Sequence, residues 1–175
     1  MGLRPGAVLS GAIVGIDPGR RGAMVAIEGG EVVASLMMPF RQGMLDYEEV
    51  ISFLERRNIR MVVIERQRAM PRQGVSSMFT LGSRYGELYG MSKALRLHVE
   101  SPPPQTWQKV MLKGAEGHGK QRAITRVKEL LPGLGLRPGR CRIDQDGLAD
   151  AGLLALYGEW VLDKEGSRAR FSWID

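Results

Sequence analysis

Three aspartates stand close together at the start of an apolar segment near the end of the sequence. The segment IDQDGLADAGLLALYGEW, residues 143–160, contains Asp144, Asp146 and Asp150. Leucines and alanines surround Asp150, which predicts that its helix belongs to the core. A buried carboxylate without a partner is costly, so a basic side chain or a bound metal ion should accompany it.

Two further carboxylates each end a short apolar run. Asp17 ends GAIVGID, residues 11–17, and Glu65 ends RMVVIE, residues 60–65. If the two runs are neighbouring parallel strands, their ends meet, and the last helix can bring Asp150 to them. Acids in one cleft repel each other unless divalent cations neutralise them, and oxygen ligands select magnesium or manganese over zinc. Two such ions would activate a water and stabilise the leaving oxygen of a phosphodiester.

Simpler explanations exist for most of these acids. Asp17 precedes a Pro-Gly pair and could be an Asx-type turn residue. Glu65 is followed by arginines and could form a structural ion pair. Asp146 could be the N-cap of the last helix, and a cap and a metal ligand are equal alternatives for it. Asp150 lies too far into the helix to act as a cap, so the simple explanation is weakest there.

The order of strand and helix patterns indicates how these residues could be positioned. Residues 11–17 and 22–39 predict three antiparallel strands, the last two joined by a tight turn at Glu28-Gly29-Gly30-Glu31. Asp46 followed by Glu49 predicts a helix start. The remaining patterns predict strands over 60–65 and 97–101 and helices over 78–97, 102–112, 118–132 and 146–164. We expect an α/β fold, a mixed five-stranded sheet flanked by helices, in a single domain with its core over about residues 11–160.

The predicted helix over 78–97 carries Gly82, Gly86 and Gly90 at every fourth position. This spacing puts the glycines on one helix face, although each costs roughly 1 kcal/mol relative to alanine. The face could admit a partner helix, another backbone or DNA. From the residues alone, tight packing on the sheet is the explanation we favour.

Basic residues are concentrated in one stretch of the chain. The sequence has 175 residues, with 25 Lys and Arg against 19 Asp and Glu, and its formal charge of +6 suggests a polyanionic partner. Nine of the basic residues lie between positions 109 and 142. Within this stretch we predict that phosphates are contacted by Lys109, Lys113, Lys120 and Arg122.

The cysteine content and the first residues indicate the compartment. A single cysteine, Cys141, excludes an internal disulfide framework and a thiolate-rich zinc site. The first apolar run is broken by glycines and reaches Asp17 too soon for a signal peptide or a membrane span. We therefore expect a soluble, unprocessed protein without a membrane partner, located in the cytoplasm, or in the host cytoplasm if the source is a phage.

Four stretches form an ordered set: GIDPG at 15–19, VVIERQ at 62–67, QGVSSMFTLGSRYGELYGM at 73–91 and DGLADAGLLALYG at 146–158. In this order and spacing they resemble the RuvC family of Holliday junction resolvases, over nearly the whole chain from Gly11 to Tyr157. Any one stretch would be a weak signal, but four in order are specific. The resemblance implies an RNase H-like fold, a homodimer, and nicking of paired strands at a four-way DNA junction. It also implies two Mg²⁺ ions per site, for which Mn²⁺ would substitute.

The resemblance assigns roles to individual residues. Asp17, Glu65 and Asp150 match the catalytic acids of the family. Lys120 resembles a family lysine that lies close to the scissile phosphate. A second family lysine, expected after the Pro-rich turn, aligns ambiguously with Gln108 or Lys109.

The fourth acid is where the sequence departs from the family pattern. Cellular members carry an Asp or His at the position of Gly147. Asp146 lies on nearly the same helix face as Asp150 and is expected to replace that ligand, with Asp144 as the alternative.

The resemblance also bears on the partners. The helix over 78–97 resembles the dimer-facing helix of the family, which favours a partner helix as the explanation of the glycine spacing. Arg68, Arg72 and Gln73 are placed like the loop that meets the junction centre, where they would position phosphates.

Other classes of function stay open from the sequence. A non-catalytic junction-binding protein of the same fold is one, although the intact acid set argues against it. A general branched-DNA nuclease acting on flaps, forks or RNA–DNA hybrids is another, because phosphate-directed basic residues serve all these polyanions. A small-molecule phosphotransfer enzyme would need a Gly-rich phosphate loop, for which only DPGRRG is available.

Overall fold

Five of the apolar runs pair as the strands of one mixed sheet. The computed structural model describes residues 11–67, 74–163, 171 and 174. In chain order its elements are β1 (Ala12–Asp17), β2 (Ala23–Glu28), β3 (Glu31–Met37), β4 (Phe40–Arg41), β5 (Met44–Leu45), α1 (Tyr47–Glu55), β6 (Ile59–Ile64), α2 (Val75–Ala94), β7 (Val99–Glu100), α3 (Pro104–Met111), α4 (Gly119–Leu130) and α5 (Asp146–Asp163).

The strand order of the sheet is β3-β2-β1-β6-β7. β2 pairs antiparallel with both β1 and β3, whereas β6 pairs parallel with both β1 and β7. The predicted arrangement of three antiparallel strands followed by parallel ones, flanked by helices, is confirmed.

The central strands are buried on both faces, which explains their nearly continuous apolar sequences. Alternate residues of a strand point to opposite sides of the sheet. Ile13 of β1 packs in a core with residues of α3, α4 and α5. Its neighbours Val14 and Ile16 pack in a second core with residues of α1 and α2.

Helix α5 crosses directly over β1 because a glycine removes the intervening side chain. A Cβ atom on Gly15 would lie 2.0 Å from the Ala151 carbonyl oxygen and 2.4 Å from the Ala155 nitrogen. A Cβ atom on Gly158 would lie 2.7 Å from side-chain carbons of β1 and β6. This close seating holds the first turns of α5 beside the carboxyl end of β1, where Asp17 lies.

Two local predictions are confirmed. The Asp46 side chain accepts a hydrogen bond from the Glu49 backbone at 3.3 Å and caps α1. Gly29 and Gly30 adopt positive φ values of 55° and 76°, as a two-residue hairpin turn of this type requires.

The long glycine-bearing helix has different ends from those predicted. α2 begins after Gly74 and ends at Ala94 instead of spanning 78–97. Arg96 adopts a left-handed φ of 58°, and the Leu97 N–H donates to the Ser92 carbonyl at 3.0 Å, which closes the helix end. The sequence pattern hid this stop because Leu95 and Leu97 still pack against the core after the helix has ended.

The hairpin of β4 and β5 was not predicted, because its two-residue strands are too short to show a period. Among the described residues, no helix is both long and apolar enough to cross a bilayer.

Candidate active site

The carboxyl ends of two parallel strands bring Asp17 and Glu65 to one edge of the sheet. Asp17 is the last residue of β1, and the Glu65 N–H, just after β6, donates to the Ile16 carbonyl at 3.1 Å. Asp146 and Asp150 come from the first turns of α5. Burial raises the pKa of Asp150 most, and the charges of Asp17, Glu65 and Asp146 raise it further. The four predicted acids therefore lie within electrostatic reach of one another.

Asp17 has both a turn role and a place in the site. Its Oδ1 accepts a hydrogen bond from the Gly19 backbone at 2.9 Å, which is the Asx turn predicted as the simpler explanation. Burial raises the pKa of Asp17 to about 6, and the Gly19 bond opposes this while the charge of Glu65 adds to it. The turn fixes the carboxylate without removing it from the acid cluster.

Glu65 is held by two neutral donors. The Trp107 indole N–H donates to its Oε1 at 3.0 Å, and the Gln67 amide donates to its Oε2 at 3.2 Å. Burial raises the pKa of Glu65, and these two bonds lower it by a smaller amount. The predicted alternative, an ion pair with the following arginine, is not found for Arg66, whose backbone N–H bonds to the Pro102 carbonyl.

Sequence reasoning missed Trp107. It is fully buried in α3 and lies 42 positions from the glutamate that it contacts. No local spacing links residues so far apart in the chain. The available signal was chemical: a buried indole N–H normally finds an acceptor.

Asp150 has the most perturbed carboxyl group of the four. Burial, followed by the charges of its three acidic neighbours, raises its pKa to about 8. Among the described residues no donor is hydrogen bonded to it. A partly buried carboxyl group that has other acids beside it and no hydrogen-bond donor is typical of a cation ligand.

Asp146 is the acid with cationic partners. Lys120 Nζ donates to Asp146 Oδ2, and Arg21 Nη2 lies 3.7 Å from Oδ1. Burial alone would raise the pKa of Asp146, but the bond and charge of Lys120, with the charge of Arg21, bring it below its ordinary value. Its side chain bonds Lys120 and not the N–H groups that follow it in the helix, so the capping alternative is not supported.

Asp144, the alternative fourth ligand, is tied elsewhere. It accepts hydrogen bonds of 2.6 Å from both Lys128 and Arg137, and these bonds hold its pKa below the ordinary range. The ion pairs link α4 to the loop before α5. The structure therefore favours Asp146 over Asp144 as the fourth acid.

The packing at Gly147 explains why a ligand cannot occupy that position here. A Cβ atom on Gly147 would lie 2.0 Å from the Arg21 carbonyl oxygen and 2.7 Å from the Gly22 Cα. The turn between β1 and β2 thus presses directly on the first turn of α5. No side chain fits at Gly147, so an additional carboxylate has to come from a neighbour such as Asp146.

The glycine face of α2 is open. Cβ atoms on Gly82, Gly86 and Gly90 would meet no described residue within 4 Å. The explanation favoured from the residues alone, packing on the sheet, is therefore wrong. The face that packs on the sheet carries Leu88 and Ser92 instead.

The basic residues predicted to contact phosphates differ in their exposure and hydrogen bonding. Lys109 and Lys120 are exposed. Lys113 Nζ donates to the Ile174 carbonyl. The Arg122 guanidinium donates to the carbonyls of Leu112 and Ala115, so it holds the turn between α3 and α4. These bonds give Arg122 a structural role, and its DNA contact stays a prediction.

Three predicted DNA-contacting residues, Arg68, Arg72 and Gln73, lie outside the described residues. Their roles also stay predictions.

The ligand atoms of the site decide whether its residues fit the predicted magnesium. Within the described ranges, no three His, Cys, Asp or Glu side chains are already arranged to hold a metal ion. The donor set is made of carboxylate oxygens alone, which suits Mg²⁺ or Mn²⁺ and not zinc. Burial and the neighbouring acidic charges raise the pKa values of Asp17 and Asp150, and the positive charge of Lys120 offsets this only in part. The residues therefore fit a hard divalent cation by charge and ligand type.

An antiparallel-then-parallel sheet with acids at the ends of β1 and β6 and on the last helix defines the RNase H-like class of fold. No protein-family model matches the sequence, and no curated protein matches it. Solved structures do match. A Thermus thermophilus RuvC in complex with a Holliday junction substrate aligns with a TM-score of 0.64 and 17% identity, over 88% of this chain and 96% of that one. Another T. thermophilus RuvC structure aligns with a TM-score of 0.62 and 19% identity, over 89% and 97%.

The protein therefore has the fold of RuvC. The resemblance read from the four sequence stretches is confirmed at the level of the fold.

Proposed function

We propose that the protein is a metal-dependent endonuclease that resolves four-way DNA junctions by paired symmetric nicks. The observation that carries the proposal is the convergence of Asp17, Glu65, Asp146 and Asp150 at the carboxyl ends of two parallel strands. A RuvC of the same fold has been solved with a Holliday junction substrate, which supports junction DNA as the partner. The formal charge of +6 suits a polyanion.

The chain's own residues would hold the cofactor and the phosphate. Asp17, Glu65 and Asp150, with Asp146, supply oxygen ligands for Mg²⁺ or Mn²⁺, two ions per site. Bound Mg²⁺ would activate the attacking water and stabilise the leaving oxygen. Trp107 and Gln67 fix the orientation of the Glu65 carboxylate. Lys120, with its side chain 73% exposed beside Asp146, would stabilise charge on the phosphate.

The proposal includes a homodimer formed through α2. Its open glycine face lies beside large exposed apolar side chains, Val75 at 79% and Phe79 at 76% exposure. Small residues on a helix face allow two helix backbones to approach closely, and exposed apolar residues favour burial against a partner. Two copies would present two active sites to the two strands that must be nicked. We also propose a cytoplasmic location, in line with an exposed free cysteine.

The test is cleavage of a labelled synthetic four-way junction, compared with a matched duplex and a flap, in Mg²⁺ and in EDTA. An Asp150→Asn variant removes one acid of the site. An Asp144→Asn variant makes the same chemical change at the aspartate tied to Lys128 and Arg137. We expect symmetric Mg²⁺-dependent nicks on the junction with the wild type and the Asp144 variant, and none with the Asp150 variant.

Each other result has a distinct meaning. Equal cutting of flap and junction would replace junction resolution with a general branched-DNA nuclease. Tight junction binding without cutting by the wild type would leave a non-catalytic binding protein. Neither binding nor cutting would refute the proposal as a whole.

A further inference from the structure

The turn between β1 and β2 delivers an arginine to the acid cluster that neither the predicted DNA contacts nor the resemblance included. Arg21 Nη2 lies 3.7 Å from Asp146 Oδ1, and Lys120 bonds the other carboxylate oxygen, Oδ2. Two cations from separate elements thus converge on one carboxylate. The adjacent Arg20 is also exposed, but among the described residues no ion pair with an acid of the cluster is found for it.

The backbone around Arg21 is held rigidly. The Gly19 N–H bonds to Asp17 Oδ1 and the Gly22 N–H bonds to the Gly19 carbonyl, both at 2.9 Å. The Arg21 carbonyl rests against Gly147, where a Cβ atom would lie 2.0 Å away. Because the turn is locked both internally and against α5, the start of the Arg21 side chain is fixed relative to the acids.

The contact with Asp146 leaves the guanidinium available. A separation of 3.7 Å is too long for a hydrogen bond, and the Arg21 side chain is 60% exposed, whereas that of Asp146 is 15% exposed. An exposed ion pair of this kind contributes little to stability. The five N–H donors of the guanidinium can therefore turn towards an anion that approaches the acid cluster from solvent.

We propose that Arg21 binds the non-bridging oxygens of the phosphate to be cut, together with Lys120. This inference rests on the proposed nuclease function and names a further substrate-binding residue for it. A planar guanidinium can bond two phosphate oxygens through two parallel N–H groups, a fixed geometry that the lysine ammonium lacks. A phosphate placed beside Asp17 and Asp150 needs positive charge on its solvent side, and Arg21 and Lys120 supply it.

The experiment compares Arg21→Ala with Arg20→Ala, which removes the neighbouring arginine of the same turn. Single-turnover cutting of a four-way junction is measured at saturating protein and saturating Mg²⁺. We expect Arg21→Ala to slow cutting about 100-fold, the lower end of the range for losing one donor to developing charge, and Arg20→Ala to stay within about 2-fold of wild type. Arg21→Lys should recover part of the rate.

Two further readouts separate phosphate binding from an effect on Asp146. Junction binding in EDTA should show a salt slope smaller by about one for Arg21→Ala. The melting temperature and the Mg²⁺ concentration for half-maximal cutting should stay at the wild-type values. Equal behaviour of the Arg21 and Arg20 variants would overturn the inference, as would full recovery of Arg21→Ala cutting by extra Mg²⁺. A wild type that binds junctions but does not cut them would refute the proposed function, while the salt slope would still test the phosphate contact.

Discussion

At the residue scale, one indole N–H determines how Glu65 is presented to the site. Trp107→Phe keeps an aromatic ring in the core and removes the donor to Glu65 Oε1. Because this bond lowers the pKa of Glu65, its loss raises that pKa further. A proton then competes more strongly for the carboxylate, which should bind a cation less well. We expect the Mg²⁺ concentration for half-maximal cutting to rise by about 10-fold, the lower end of the range for outer-shell partners.

The matched control for this prediction is Trp160→Phe, which makes the same change in α5 beside Tyr157. Melting temperatures of both variants would show how much of the loss is structural. Equal Mg²⁺ dependence in the two variants would contradict a role for the Trp107 bond.

A second residue-scale prediction concerns Asp150 and pH. Its pKa rises from 3.8 to about 8 in the folded chain. Between these values the folded chain keeps a proton that the unfolded chain has released, so stability is present at low pH and is lost as pH rises through this window. Asp17, with a folded pKa of about 6, acts in the same direction over a narrower window.

In EDTA, the wild type should therefore melt at a lower temperature at pH 8 than at pH 5. Asp150→Asn should melt about 3 °C or more above the wild type at pH 8, and the difference should shrink towards pH 5. Asp144→Asn is the control and should lower the melting temperature. Lys128 and Arg137 hold the pKa of Asp144 below its ordinary value, and the substitution removes its ion pairs with them. If the melting temperatures of the wild type and Asp150→Asn changed equally between pH 5 and pH 8, the raised pKa of Asp150 would be refuted.

At the element scale, the packing of the β1–β2 turn against the first turn of α5 fixes the geometry of the site. Gly147→Ala places a methyl group 2.0 Å from the Arg21 carbonyl, so the turn or the helix has to move. We expect a loss of about 1–3 kcal/mol in unfolding free energy, as for other overpacked positions. Gly133→Ala is the control, since a Cβ atom there meets none of the described residues within 4 Å. Urea unfolding of both variants measures the difference, and equal stability would contradict close packing of the turn against Gly147.

The open face of α2 makes a separate prediction about assembly. Gly86→Leu adds a large side chain where no described residue of the same copy lies within 4 Å of the added Cβ atom, so the chain should stay folded. If two α2 helices pack through this face, the leucine should separate them and the dimer should become a monomer in sedimentation equilibrium. Glu55→Leu adds the same side chain at an exposed position of α1 and should not change the assembly. A Gly86→Leu protein that is dimeric like the wild type would rule out this interface.

The sequence allowed the strands, their parallel pairing and the acids at their ends to be predicted, because buried strands and a buried aspartate have strong local patterns. It did not predict which basic residues are available. Arg122 and Arg126 bond to backbone carbonyls at the end of α3, and Lys128 and Arg137 bond to Asp144. A run of positive charge in the sequence does not reveal such tertiary partners, just as it did not reveal Trp107 beside Glu65.

At the scale of the whole molecule, the candidate site exists only when the fold is complete. Its acids come from β1, from the residue after β6 and from α5, which are separate parts of the chain brought together by the sheet. A cation that binds these acids together therefore binds the folded chain and not the unfolded one. Such a ligand raises stability by mass action, by about 2.7 kcal/mol when its concentration is 100 times its Kd.

Mg²⁺ should therefore raise the melting temperature of the wild type at pH 8 in a concentration-dependent way. The rise should be greater than at pH 5, where protons compete for Asp150 and Asp17, whose pKa values are about 8 and about 6. Asp150→Asn should lose most of the Mg²⁺ effect, whereas Asp144→Asn should keep it, because Asp144 is bonded to Lys128 and Arg137. Thermal unfolding across a Mg²⁺ series measures this without any DNA. An equal rise in the Asp150 and Asp144 variants would mean that the cation binds elsewhere, and the acids at the strand ends would then not be its site.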